Sequence, residues 1–123
     1  MSHKHCLIVD DSDVIRRILK HMLGALQFET SEAGNGQEAL DCCRRSMPDA
    51  ILLDWTMPVV GGIDCLQALR QLPGGEKPVV LYCITENDVL EIFKAMRAGA
   101  DDILLKPFDR GMLRQKLSSA GLM

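Results

Sequence analysis

The feature that most constrains this chain is a set of short, wholly apolar runs, each closing on a polar residue. Cys6-Leu7-Ile8-Val9 runs into Asp10-Asp11, and Ala50-Ile51-Leu52-Leu53 into Asp54. Val79 to Ile84 runs into Thr85, and Ile103-Leu104-Leu105 into Lys106. A strand that is apolar at every position, not at every second one, is buried on both faces. Helical patterns fill the intervals. Ser12 is placed to cap a helix in which Val14, Ile15, Ile18, Leu19, Met22 and Leu23 recur at helical spacing, and Gly24 weakens or ends it. Residues 28–33 read as a weaker, more polar strand. The Gly34-Asn35-Gly36 turn leads to a helix over about 37–46, and a short helix follows at 64–72. Val89, Ile92, Phe93 and Met96 follow the i, i+3, i+4, i+7 rule, so this stripe is expected to face the core. Gly99 stops that helix, and Asp109 caps the last one.

Strands alternating with helices predict an α/β fold, a doubly wound parallel sheet covered on both faces. Right-handed crossovers leave few topologies. Asp10, Asp11, Asp54, Thr85 and Lys106 each follow an apolar run. All five should therefore gather at the carboxyl edge of the sheet, where open α/β folds bind their ligands. The 123 residues suit one domain, 1–123. An apolar share of 47% with a net charge of -3 excludes disorder and lacks the basic excess of a nucleic-acid binder. The longest apolar run spans six residues, against about 20 for a membrane span, and the N-terminus is no signal peptide. Five cysteines, an odd number without a C-x-x-C pair, fit reduced thiols in a cytoplasmic protein. Cys42-Cys43 is read as helix filler in preference to a redox or soft-metal pair.

Three aspartates brought together repel, and at least one pKa must rise. A hard divalent cation relieves this, which points to Mg²⁺, with Mn²⁺ as a substitute. The cysteines are not placed for zinc. Such an ion and Lys106 together neutralise the three carboxylates. A phosphoryl group added to one of them would find Lys106 and the metal as counter-charges, with the Thr85 hydroxyl as a hydrogen-bond donor. Carboxylates that form aspartyl phosphates are an established class of nucleophile.

Four motifs stand in order: Leu7-Ile8-Val9-Asp10-Asp11-Ser12, Leu53-Asp54-Trp55-Thr56-Met57-Pro58, Thr85, and Lys106-Pro107-Phe108. With them the chain resembles, over nearly its whole length, the receiver domain of bacterial two-component response regulators. The resemblance implies a flavodoxin-like (βα)5 fold with strand order 2-1-3-4-5. It implies that Asp54 is the phosphoacceptor and that Asp11, Asp54 and the backbone carbonyl of Thr56 bind Mg²⁺, with Asp10 acting through a metal-bound water. Thr85 would bond the phosphoryl group and carry the response. Lys106 would pair with phosphoryl oxygens, aimed by a cis Lys106-Pro107 bond. The donor would be a histidine kinase or His phosphotransfer protein docking on the first helix, with Val14, Ile15 and Ile18 as contacts. Output would pass to an unidentified protein target through residues 87–98, 103–105 and 109–119. No output domain follows, so the expected role is a stand-alone switch that catalyses only its own phosphorylation and dephosphorylation, not an enzyme.

The sequence departs from the family pattern in three places. Ile103 stands where an aromatic is usual, three positions before the lysine. Glu86 stands where the residue after the threonine is usually small, and is expected to slow uptake from small phosphodonors. Gly61-Gly62 replaces the usual Asp-Gly, so a loop cap is lost. Ile103 and Glu86 favour, as an alternative, a receiver-like binding module insensitive to phosphorylation. A phosphatase acting on external substrates would need a second carboxylate after Asp54, where Thr56 stands. A flavodoxin would need a phosphate-cradling loop after the first strand. Arg16, Arg17 and Lys20 read as a solvated helix face, Thr85 as a residue that can also cap a helix, and Trp55 as a reporter beside Asp54.

Overall fold

The computed structural model describes residues 3–55, 57, 60–85 and 88–123. Among these, strands and helices alternate: β1 (His5–Val9), α1 (Asp13–Ala25), β2 (Glu29–Ala33), α2 (Gly36–Arg45), β3 (Ala50–Asp54), α3 (Gly62–Gln71), β4 (Val79–Ile84), α4 (Val89–Ala98), β5 (Asp102–Leu105) and α5 (Arg110–Ser119). All pairings are parallel, in the order β2-β1-β3-β4-β5. This is the flavodoxin-like order that the resemblance implied. Among the described residues no helix is long and apolar enough to cross a membrane.

The central strands are apolar throughout because each has two faces to bury. Leu7, Val9, Ile51, Leu53, Tyr82 and Ile84 point into the core shared with α2, α3 and α4. Cys6, Ile8, Leu52, Leu81, Cys83 and Leu104 point the other way, into the core shared with α1 and α5. Each fully buried Leu or Ile stabilises the fold by roughly 1.5–3 kcal/mol relative to exposure, so β1, β3 and β4 anchor the molecule.

Register brings the strand ends level. Val9 pairs with Leu53, Asp54 with Cys83, and Ile84 with Leu105. The ladder continues one residue further. Asp10 N donates to Ala33 O at 3.1 Å, Trp55 N to Cys83 O at 3.1 Å, and Lys106 N to Ile84 O at 2.8 Å. Residues just past the strands are therefore held by the sheet itself.

Helix starts follow the expected chemistry. The side chains of Ser12, Asn35, Asp88 and Asp109 accept from first-turn N–H groups, whereas Gly61 at the head of α3 offers none, as the lost loop cap predicted. α1 runs one residue past Gly24 to Ala25, and the chain turns at Gln27 with φ 69°. Two expectations need correction. Asp88, not Thr85, caps α4, accepting from Leu90 N and Glu91 N. Of the α4 stripe only Ile92 packs against the core: Val89 is 75% exposed, Phe93 56% and Met96 45%. That helix seats Ala95, with Ile92 and Ala98, on the sheet instead, because small Ala95 permits close approach. Apolar side chains occupy much of its circumference, so periodicity alone does not choose the buried face.

At the opposite end of the sheet, Arg70 ties elements together. It donates to the carbonyls of Gly99, Gly75 and Pro78 and to Asp101 Oδ2.

Candidate functional site

The carboxyl edge carries one concentrated cluster of charge. Oxygens from Asp10, Asp11 and Asp54 lie within 4.8 Å of one another. Asp10 is 3% exposed and Asp54 5%, while Asp11 faces solvent. Lys106 Nζ lies 2.9 Å from Asp10 Oδ2 and 3.0 Å from Asp54 Oδ1, bridging two carboxylates that would otherwise be buried without a cation. Asp10 Oδ1 accepts from Ser12 N at 2.9 Å.

Burial pushes the Asp54 carboxyl up from its ordinary range. Lys106 opposes this by hydrogen bond and charge, and Asp10 and Asp11 add to it. Burial pulls Lys106 down, but its bonds to Asp10 and Asp54 and their charges outweigh that, so its pKa rises. The two partners thus move the same way, although a simple ion pair would lower the acid. A pocket with three acids and one ammonium carries excess negative charge, which favours a proton on each of these two groups.

That excess is what a divalent cation relieves. The donors are hard carboxylate oxygens, two fixed in the wall and one at the solvent side, which suits Mg²⁺ with part of its water shell retained. The cysteines offer no competing soft site: Cys6, Cys43, Cys65 and Cys83 are buried, and all five are free thiols.

Beside the cluster lies an open groove of about 500 Å³ between α1 and the chain after β5. Ile15, Ile18, Met22 and Phe108 line it, and Thr85 and Lys106 close the end nearest the carboxylates. Val14 is 58% exposed and Ile18 46%, so two of the three expected docking residues stand open, with Ile15 half-buried against the core.

A family model for the response regulator receiver domain matches residues 6–118. The chain belongs to this family. The receiver is 32% identical over 116 residues to the chemotaxis protein CheY of Thermotoga maritima, covering 94% of this chain and 95% of the relative. Its fold superposes on chemotaxis protein CheY4 of Vibrio cholerae with a TM-score of 0.91 at 30% identity, covering 96% of this chain and 98% of the other. It also matches the receiver domain of sensor histidine kinase PA1611 from Pseudomonas aeruginosa, described with a magnesium ion in its active-site cleft. That match has a TM-score of 0.88 at 25% identity and covers 96% and 97% of the two chains.

The receiver's fold brings together Asp10, Asp11, Asp54 and Lys106, with Thr85 exposed at the rim of the adjoining groove. The Lys106-Pro107 bond is cis. Thr56, expected to offer its carbonyl to the metal, and Glu86, expected to hinder small donors, lie outside the described residues. Ile103 is half-buried and packs against the α2–α3–α4 core. Trp55 follows Asp54 directly and packs partly on the same core.

Two residues near the site escaped the sequence reading. Arg16 is not a solvated residue: its side chain is 18% exposed and donates to the carbonyl of Asp10. A helical side chain leans toward the N-terminus of its helix, so a cation one turn into α1 points back at the loop before it; that was the signal available. Tyr82 is fully buried, paired with Ile103 of β5 in the strand register, and its hydroxyl donates to Glu91 Oε1 on α4 at 2.9 Å. Nothing in the strand pattern pairs those two residues.

Proposed function

We propose that this receiver is a switch that accepts a phosphoryl group on Asp54 from a histidine kinase or His phosphotransfer protein, with Mg²⁺ bound. The observation that carries the reading is Lys106 Nζ shared between Asp10 and Asp54, beside a third carboxylate at the solvent side. Asp10, Asp11 and Asp54 would hold the metal. When bound, the ion supplies positive charge against the phosphoryl oxygens.

The chain's own groups do the rest. Lys106 engages Asp54 Oδ1, leaving Oδ2 to attack phosphorus. The new O–P bond forms as the donor's P–N bond breaks, and the departing imidazole nitrogen keeps the electron pair. Lys106 then pairs with a phosphoryl oxygen, and the Thr85 hydroxyl donates to another. Docking uses the groove of Ile15, Ile18 and Met22 together with the exposed Val14, which lets an apolar partner surface bring its phosphohistidine to the end marked by Thr85 and Lys106. Output passes through α4, β5 and α5, where Val89, Leu90, Phe93 and Met112 are exposed.

The test is an amide NMR spectrum with Mg²⁺, before and after beryllofluoride, beside an Asp54→Asn control. Shifts spreading from Asp54 into α4 and α5, absent in the control, are expected. Shifts confined to the pocket would overturn the switch and favour a binding module insensitive to phosphate. Ile103 in the usual aromatic position is the observation behind that second reading.

A further inference from the structure

We infer that Arg16 is a positioning residue for the metal, holding the Asp10–Asp11 peptide so that Asp11 faces Asp54. The inference rests on the metal-binding reading above and extends it to a residue outside the carboxylate cluster. Asp10 is fixed at every polar atom. Its N–H donates to Ala33 O, its Oδ1 accepts from Ser12 N, and its Oδ2 accepts from Lys106. The remaining atom is the carbonyl oxygen, and Arg16 Nη1 donates to it at 2.5 Å.

That carbonyl belongs to the peptide joining Asp10 to Asp11. Turning it turns the departure of Asp11, whose exposed carboxylate receives no hydrogen bond among the described residues. The direction of the Asp11 side chain therefore depends on the peptide before it. Arg16 is itself braced. Its Nε donates to Glu32 Oε1 on β2 at 3.1 Å. The turn after β2 packs against it as well: a Cβ at Gly34 would lie 3.6 Å from Arg16 Nη1 and 3.2 Å from Glu38 Oε1. One guanidinium thus ties the metal loop to the neighbouring edge strand.

The geometry requires a fork. Arginine presents donors at fixed angles to two acceptors at once, whereas lysine offers a single point of charge. Two effects of removing Arg16 oppose each other. Losing a cation near three acids would tighten a divalent ion, and losing the brace would loosen it. Glu32 already neutralises Arg16, so the change in field is small and the loss of position wins.

The experiment is a Mg²⁺ titration of the full chain followed by fluorescence of its single Trp, Trp55. Wild type, Arg16→Met, Arg16→Lys and Glu32→Gln are compared, with a thermal midpoint measured on each without metal. Outer-shell partners of metal ligands typically carry roughly 10–100-fold in affinity. Arg16→Met is expected to weaken Mg²⁺ at least tenfold, Arg16→Lys to remain weakened about fivefold, and Glu32→Gln to lose about threefold. Loosening of α1 alone would lower the thermal midpoint and leave the affinity of the folded protein unchanged. Arg16→Met binding within twofold of wild type, or more tightly, overturns the inference; so does full rescue by Arg16→Lys, which would show that a single donor suffices and no fork is required. Should Arg16→Met not fold, Arg16→Lys decides, because it keeps the charge, and affinity equal to wild type there overturns it. A wild type that shows no Mg²⁺ response fails the metal reading itself, a result distinct from equal binding by wild type and variants.

Discussion

Lys106→Met keeps the length of the side chain and removes its charge. Lys106 Nζ bridges carboxylates whose side chains are 4% and 6% exposed. Removing one partner of a buried ion pair costs about 3–5 kcal/mol. An upper bound comes from protonation, because an unpaired Asp54 can take a proton instead. From an ordinary value of roughly 3.9 to pH 7, at 1.36 kcal/mol per unit, that costs roughly 4 kcal/mol. The metal-free variant should therefore lose about 3–4 kcal/mol at pH 7. At roughly 2.1 cal/mol/K per residue, unfolding 123 residues releases roughly 0.26 kcal/mol/K, so the thermal midpoint falls by roughly 12–15 °C.

The pH dependence has a definite sign. Asp54 is already raised by burial, and Lys106 is what holds it down, so the variant raises it further. A raised acid destabilises the fold only above its ordinary pKa, and the penalty fades as pH falls toward about 4. Lys106 is raised from 10.5, so its contribution in wild type is complete below that value and is lost as pH climbs past its folded pKa. The gap between the two proteins should be widest near neutral pH and narrow toward pH 4. Mg²⁺ should then stabilise the variant more than wild type, because a competing cation has gone. Thermal melts by circular dichroism from pH 4 to 8, with and without Mg²⁺, measure all three. A neutral-pH gap below about 3 °C, under 1 kcal/mol on the same scale, would refute the bridging role. A gap constant with pH, or greater Mg²⁺ stabilisation of wild type, would refute the charge argument.

Three further outcomes follow from the packing. Tyr82→Phe removes a buried hydroxyl that donates to the half-buried Glu91, and should cost about 1.5 kcal/mol, the low end for a bond to a charged group because water can reach Glu91. A double-mutant cycle with Glu91→Gln showing coupling below about 0.5 kcal/mol would contradict that tie between β4 and α4. Arg70→Met leaves the carbonyls of Gly75, Pro78 and Gly99 without their donor and should cost about 3 kcal/mol in urea unfolding, with Arg70→Lys recovering less than half; full recovery would mean that charge alone matters. Burial raises the Cys43 thiol to about 11 and those of Cys65 and Cys83 to about 12, with Cys6 raised further, so iodoacetamide at pH 8 should label Cys42 first. Mass spectrometry finding a buried cysteine modified at the same rate would contradict it.

Much of the site was legible in the chain because strand ends are local events. An apolar run that stops at Asp10, Asp54, Thr85 or Lys106 announces both a buried strand and a residue at its carboxyl edge. Parallel pairing then forces those edges to coincide. The sequence by itself therefore determined the alternating fold, the cluster of acids and the cation beside them. Only the tertiary structure decided where side chains with several options went. α4 carries apolar groups around much of its surface, and the sheet selected Ala95 over Val89, Phe93 and Met96 because the small side chain lets the helix settle closest. Arg16 shares the helical pattern of exposed Arg17 and Lys20, yet a free carbonyl at Asp10 and a carboxylate at Glu32 on the adjacent strand drew it inward. Tyr82 found Glu91 across two elements in the same way. Burial on a strand is set by period and composition, which the sequence carries. The pairing of one long polar side chain with one acceptor is set by distances between elements that exist only once the sheet and helices have packed.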